Sequence, residues 1–224
     1  MSKFDKQRAP TSVDLSRHQI PEATLKRLVY YARCVRRFRD QGVETVLSEE
    51  IGRKCGVHGT VVRKDLSRFG EFGVRGRGYD VTALDDRLEK LFDRVGNFHA
   101  VLVGMGRLGH AIAAHARSTY KTRIVAAFSK DIDHFLTCEG IPVYPMNELR
   151  NVVEGRGVIC AILAIPGTEV QSVVDALVNA GIRIVLSLAL QPIQVPPGVS
   201  VGFMDVLSEM EYLFFRHHLK EEKS

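Results

Sequence analysis

The sequence predicts an α/β chain in two parts: a small basic helical unit, then a mostly parallel sheet flanked by helices, closed by one apolar helix. Three observations carry this. Between residues 98 and 205, buried-looking apolar runs alternate with helical spacings, as βαβ units do. A glycine string, Gly104-Met105-Gly106-Arg107-Leu108-Gly109, sits at the first strand-to-helix junction of that stretch. The charge is lopsided: residues 1–90 hold 19 Lys/Arg against 13 Asp/Glu, and residues 91–224 hold 12 against 13. The basic excess therefore belongs to the first part, which points to nucleic acid there and to another task in the rest.

Composition excludes several classes. No run of 18 apolar residues spans a membrane, and the N-terminus lacks the charged-then-apolar pattern of a signal peptide. A soluble, cytoplasmic protein without a membrane partner is expected. Cys34, Cys55, Cys138 and Cys160 lie far apart and form no C-x-x-C, so reduced structural thiols are expected. The histidines are scattered, His217-His218 reads as solvated, and no metal site is expected.

Residues 1–19 are polar and aperiodic and read as a flexible arm. Pro21 opens a helix, with Glu22 in its first turn, and Leu25, Leu28, Val29, Ala32 and Val35 recur at helical spacing. Ser48 reads as the cap of a second, short helix. Cys55-Gly56-Val57 reads as the sharp turn of a helix-turn-helix. In the next helix, Gly59 to Phe69, Val62, Leu66 and Phe69 form the inward stripe, while Arg63, Lys64, Ser67 and Arg68 face out. The segment Gly70 to Tyr79 sets glycines between Arg75 and Arg77, as the tip of a two-stranded wing would. Turn, basic helix and Gly/Arg hairpin follow in the order a winged helix needs, over 20–81. Arg63, Lys64, Ser67, Arg68, Arg75, Arg77 and Tyr79 are its candidate DNA contacts. Thr82 with Asp85 resembles a capping box and starts a linker helix over 82–95, with an apolar seam of Leu84, Leu88 and Leu91.

The domain over 96–205 opens on a buried strand, Ala100 to Val103, feeding the glycine string. Strand before and helix after give G-x-G-x-x-G its meaning. Gly104 permits the turn, Gly106 lets the backbone approach a pyrophosphate, and Gly109 lets helix pack on strand; the helix N-terminus offers free N–H groups to the phosphates. The stretch reads as a Rossmann-type dinucleotide site, with Met105, Arg107 and Leu108 in the loop; the plainer alternative is a mononucleotide-type fold with no ligand. Leu108, Ala111, Ile112 and His115 keep helical spacing. Strands follow at Arg123–Phe128, Ile141–Tyr144, Val158–Ile165, Ile182–Leu188 and Val199–Phe203. Helices are expected over 131–138 and Met146–Val153, and after a cap at Thr168. Ile165 and Pro166, ending their strand, are assigned to the cofactor crevice. The last helix, Val206 to Leu219, carries Val206, Met210, Leu213, Phe214 and Phe215, more apolar surface than a terminal segment needs. It packs on its own domain or, on the sharper reading, builds a dimer; 206–224 is treated as a separate C-terminal dimerisation segment.

The chain resembles the Rex family of redox-sensing repressors, from about Ile20 to Leu219. The specific strings are IPEATLKRL at Ile20–Leu28, VRKDLSRFGEFG at Val62–Gly73, RGRGYDV at Arg75–Val81 and VGMGRLG at Val103–Gly109. The resemblance implies a winged helix that binds a palindromic operator in double-stranded DNA as a homodimer. It implies a Rossmann domain that senses the NADH/NAD⁺ ratio, a C-terminal helix that crosses to the partner subunit, and release of DNA when NADH binds. It also implies switching roles for an arginine of the first helix and an aspartate before the last, here Arg33 and Asp205, the latter also at the cofactor.

The chain departs from the family pattern at five places. The acid that ends the second Rossmann strand is replaced by Ser129, followed by Lys130; the tyrosine of the fingerprint helix is His115; an Asn-Phe pair is Ser187-Leu188; the aromatic residue beside Asp205 is Val206; the cap of the recognition helix is His58. Without the acid that binds ribose hydroxyls and repels a 2′-phosphate, NAD(H) is expected to bind more weakly and NADP(H) to be poorly rejected. Two alternatives stand beside the redox repressor. One is a DNA-binding relative with an altered or lost cofactor response. The other is an NAD-dependent dehydrogenase using His99, His110, His115 or His134, against which no residues remain for a substrate domain. No enzyme is expected.

Overall fold

A computed structural model describes residues 20–70, 77–93, 96, 98–116, 122–132 and 136–221. The chain divides into two compact units, Met1–Gly96 and Asn97–Ser224.

The N-terminal unit runs α1 (Glu22–Asp40), β1 (Thr45–Val46), α2 (Ser48–Cys55), α3 (Gly59–Ser67), β2 (Tyr79–Asp80) and α4 (Val81–Asp93). β1 and β2 pair antiparallel, Thr45 opposite Asp80 and Val46 opposite Tyr79. Leu28, Tyr31, Val35, Ile51, Val62, Leu66, Leu84 and Leu88 join in one buried cluster. The inward stripe of α1 is rotated from the sequence reading. Leu25 and Val29 are 47% and 40% exposed, and Thr24 and Tyr31 are buried in their place because they serve an acid on α3. Two caps also differ. Ser48 is the first helical residue of α2, behind an extended Leu47 whose N–H donates to Glu50 at 2.8 Å, half of a capping box. α4 starts before Thr82: Asp80 accepts from the Ala83 N–H at 2.7 Å and is the true cap. α4, where a helix over 82–95 was expected, lends Val81, Leu84 and Leu88 to this core.

The C-terminal unit runs β3 (His99–Val103), α5 (Arg107–Ala116), β4 (Arg123–Ser129), β5 (Leu136–Cys138), β6 (Ile141–Pro145), α6 (Leu149–Arg156), β7 (Cys160–Leu163), α7 (Val170–Asn179), β8 (Ile184–Ser187), β9 (Ser200–Phe203) and α8 (Val206–Glu221). The sheet order is β5-β6-β4-β3-β7-β8-β9, parallel except for the edge strand β5. Side chains alternate across it. Val101 and Val103 pack with α6 and α7, whereas Leu102 packs with Ala113 and Ile112 of α5.

Three sequence expectations are corrected here. Part of the helix expected over 131–138 is strand β5, because Glu139 and Gly140, at φ 53° and 74°, make a two-residue hairpin turn back into β6. Thr168 caps nothing: it lies inside a 3₁₀ turn, Gly167–Glu169, that follows Pro166 and leads into α7. On α5 the buried positions are Gly109 and Ala113, while Leu108 is 53% exposed. Only small residues fit where α5 meets the sheet, and the larger Leu108 is left outside.

Candidate functional site

The first site is the outer face of α3. α2 and α3 approach so closely that a Cβ on Gly52 would sit 2.4 Å from the Val57 carbonyl oxygen, and one on Gly59 would sit 2.8 Å from Glu49 Oε1. Gly56, at φ +71°, makes the turn between them. This fixes which way α3 faces. Val62, Leu66 and Phe69 point inward; Arg63, Lys64 and Ser67 are exposed and Arg68 is half-buried. Arg63 is not idle in this state. Its guanidinium donates to Glu49 Oε1 and to Ser48 Oγ, both at 2.6 Å, and it holds the Glu49 carboxyl below its usual range. Arg77 is exposed. Arg75 lies outside the described residues. Tyr79 departs from the expectation of a presented DNA contact: only 9% exposed, it packs into the core from β2; residues 71–76 of the wing expected before it lie outside the described residues.

The residue that sequence reading missed is Asp65. It sits on α3 between the outward cations, yet it is only 3% exposed. Its carboxylate accepts from Thr24 Oγ1 (3.0 Å), Arg27 Nε (2.6 Å) and a terminal Arg27 nitrogen (3.0 Å), and from the Tyr31 hydroxyl (2.9 Å). Burial alone would raise its pKa; the donors from Arg27, Tyr31 and Thr24 outweigh it and hold the carboxyl below its usual range. Asp65 thus clamps the recognition helix to α1. A signal existed: Asp65 adjoins Leu66 and follows Val62 by three, so it falls on the buried arc, where a charge needs partners. Asp85 plays the same part on α4, buried and ion-paired with Arg36 and Arg39 at 2.8 Å each. Arg27, Arg36 and Arg39 therefore hold the fold together, whereas Arg63 and Lys64 are exposed on the outer face of α3.

The second site is the C-terminal edge of the parallel sheet. Gly104 takes φ +98°, and a Cβ there would lie 2.4 Å from the Ala164 carbonyl oxygen. A Cβ on Gly109 would lie 1.9 Å from the Gly104 carbonyl oxygen, and one on Gly106 would meet nothing within 4 Å. Two glycines are thus required by packing, and the third faces an open approach to the N-terminus of α5. That cradle fits a pyrophosphate. Ile165 packs on Gly104 from the end of β7, Pro166 is exposed beside it, and Met105 is half-buried. Arg107 and His115 are exposed on α5.

The ribose position is reorganised. Ser129 ends β4, is 7% exposed, and its Oγ accepts from the Asp131 N–H at 3.3 Å. Lys130 reaches instead to Glu169 in the turn beyond β7. β3 lies between β4 and β7 in the sheet, so this ion pair crosses the edge from which the glycine loop starts. Ser187 is fully buried and closes its own turn with Ala189. Asp205 caps α8: its carboxylate accepts from the Ser208 hydroxyl at 2.7 Å and the Ser208 N–H at 3.1 Å, contacts that hold it below its usual range. Arg33 is exposed on α1. Beyond Asp205, every described side chain of α8 is exposed, including Phe214 at 69% and Phe215 at 72%. Among the described residues no cluster of three His, Cys, Asp or Glu is arranged for a metal ion, and no helix is long and apolar enough to cross a membrane.

A helix-turn-helix with a cationic outer face and a glycine-cradled parallel sheet together define a class: DNA-binding regulators with a nucleotide-binding domain. Comparison with known proteins agrees. Residues 19–67 match the family model "Putative DNA-binding protein N-terminus", and residues 97–190 match a CoA binding domain model. A redox-sensing transcriptional repressor Rex from Streptococcus equi subsp. equi is 38% identical over 200 residues, 88% of this chain and 94% of the relative. One from Roseiflexus sp. is 36% identical over 201 residues, 88% of this chain and 91% of the relative. The crystal structure of RSP in complex with β-NAD⁺ and operator DNA superposes with a TM-score of 0.78 at 25% identity, covering 92% of this chain and 95% of that one. The chain belongs to the Rex family of redox-sensing transcriptional repressors.

Proposed function

We propose that this chain is a repressor that binds a palindromic operator as a homodimer and releases it when NADH occupies the glycine cradle. The observation that carries the reading is the cradle itself, with Gly104 and Gly109 locked by packing and Gly106 left open, on a chain whose other unit presents Arg63, Lys64 and Ser67 on one helix face. Arg63, Lys64, Ser67 and Arg68 read the major groove, and Arg75 and Arg77 on the wing add phosphate contacts. Tyr79 belongs to the core of the unit.

In the cofactor site, Gly104 to Gly109 hold the pyrophosphate, with Ile165 and Pro166 lining the crevice. NADH and NAD⁺ act on DNA affinity only as far as they bind two dimer states differently. Arg33 and Asp205 are the residues assigned to that coupling. A dimer formed through α8 covers the apolar side chains that the single chain leaves exposed. Within this reading, 82–95 links the DNA-binding unit to the sensing domain over 96–205.

NAD(H) is the ligand, with weakened discrimination against NADP(H). Ser129 supplies no charge to repel a 2′-phosphate, and Lys130 attracts one, but Glu169 neutralises Lys130. Calorimetry with NADH, NAD⁺ and NADPH, repeated on Glu169→Gln, tests this. NADH should bind, and Glu169→Gln should strengthen NADPH relative to NADH. No heat with any dinucleotide favours the relative that has lost its cofactor; an unchanged NADPH/NADH ratio removes Lys130 from the ribose site.

A further inference from the structure

Two thiols share one cavity within the N-terminal unit. Cys34 lies on α1 and Cys55 ends α2. Twenty-one positions apart in sequence, they line the same cavity, and each thiol shifts the titration of the other. Both line one cavity of about 510 Å³, with Tyr30, Phe38, Arg37 and Lys54 in its wall. Cys55 is half-buried, Cys34 is 9% exposed, and both are reduced. Two thiols in one cavity wall, with Arg37 and Lys54 beside them, are an arrangement that stable structural thiols do not need. All four cysteines are reduced, as the sequence led one to expect, and Cys34 and Cys55 share one cavity.

We propose that Cys34 and Cys55 form a reversible intramolecular disulfide with a hydroperoxide as oxidant, giving the DNA-binding unit a redox response independent of the dinucleotide. Cys34 is the attacking sulfur. Its contact with Cys55 and, after the opposing effect of burial, the charges of Lys54 and Arg37 hold its thiol below the usual range, while the same contact pushes Cys55 up. The Cys34 thiolate attacks one peroxide oxygen; the O–O bond breaks, hydroxide leaves, and it is protonated to water. The Cys34 sulfenic acid then meets the Cys55 sulfur. The S–S bond forms, the S–O bond breaks, the Cys55 proton and the leaving hydroxide give a second water. Two thiols and one hydrogen peroxide become one disulfide and two waters: the sulfurs lose two electrons and the peroxide gains them.

The bond has a path to α3. Closing it brings the two sulfurs to about 2.05 Å and draws in Cys55, the last residue of α2. α2 cannot move alone, because Gly52 abuts the turn at Val57 and Gly59 abuts Glu49 with no room for even a Cβ. Arg63, anchored on Glu49 and Ser48 of α2, moves with them. Oxidation should weaken operator binding by about tenfold, an ordinary coupling between two sites.

The test uses the full chain. Reduced protein is treated with hydrogen peroxide, quenched and read by intact mass, by peptide mapping, and by anisotropy on a labelled duplex selected by the reduced protein from a random library. The expected result is loss of two hydrogens, a Cys34–Cys55 linked peptide, weaker binding, and full recovery with dithiothreitol. Cys55→Ala, at the more exposed position, should abolish the linkage and the peroxide effect on binding; Cys34→Ser should do the same if it folds. A disulfide involving Cys138 or Cys160, or none at all, overturns the proposal. A Cys34–Cys55 bond that leaves DNA affinity unchanged overturns the switch. The mapping arm needs no dinucleotide, so its outcome is separate from the NADH reading.

Discussion

Replacing Asp65 by Asn keeps the shape of the side chain and removes its charge. The wild-type carboxylate accepts four hydrogen bonds, two of them from Arg27, whose side chain is 26% exposed against 4% for Asp65. Breaking a buried pair by removing one partner costs about 3–5 kcal/mol, because the other charge stays buried. Arg27 retains some water, which places Asp65→Asn near the low end, about 3 kcal/mol. In a unit of this size that lowers the melting temperature by roughly 12–24 °C. Thermal melting of the full chain followed by circular dichroism should show the N-terminal unit unfolding first, with DNA binding lost alongside. The pH dependence has a definite sign. The folded pKa of Asp65 lies below its ordinary value of 3.8. The carboxylate therefore stabilises the fold above that value, and the contribution is lost as pH falls through the lower folded pKa. Wild type and Asp65→Asn should differ by a constant amount from about pH 5 to 8 and converge only in the acid limb below about pH 4. A variant melting within a few degrees of wild type at pH 7 would refute the clamp.

Three further outcomes follow from the two sites. Arg63→Ala should cost about 1–3 kcal/mol on a specific duplex and much less on a random one; equal weakening on both would make Arg63 a phosphate contact only. Gly106→Val should abolish dinucleotide binding in calorimetry while leaving the melting temperature near wild type, because the added side chain enters open space; retained binding would move the pyrophosphate elsewhere. Deleting residues 206–221 should give monomers or insoluble protein by sedimentation, and a soluble, folded dimer would contradict the role of α8.

The order and type of most elements were legible in the sequence, because period-2 and period-3.6 apolar patterns and the strand–glycine–helix junction are local signals. The strand at Leu136–Cys138 was not, since three residues cannot show a period, and the Glu139-Gly140 turn was the better cue. Caps at Ser48, Thr82 and Thr168 were misplaced by one or more residues: Ser and Thr are plausible at several neighbouring positions, and tertiary contacts choose among them. On α3, the inward stripe and the exposure of Arg63, Lys64 and Ser67 were read correctly from spacing, whereas Arg68, expected to face out, is half-buried. Asp65 and Asp85 were missed because a buried acid looks like a surface one until its arginine partners, 38 and 46 to 49 positions away, are brought beside it. The Lys130–Glu169 pair and the Cys34–Cys55 pair are hidden for the same reason.

Occupancy of the glycine cradle should govern operator affinity. Fluorescence anisotropy on a duplex selected from a random library, titrated with the protein in buffer, with NAD⁺ and with NADH, tests it most directly. NADH should weaken binding by at least about tenfold, within the range of ordinary allosteric coupling, and NAD⁺ should not. Superimposable curves under all three conditions, from protein that calorimetry shows to bind NADH, would contradict it.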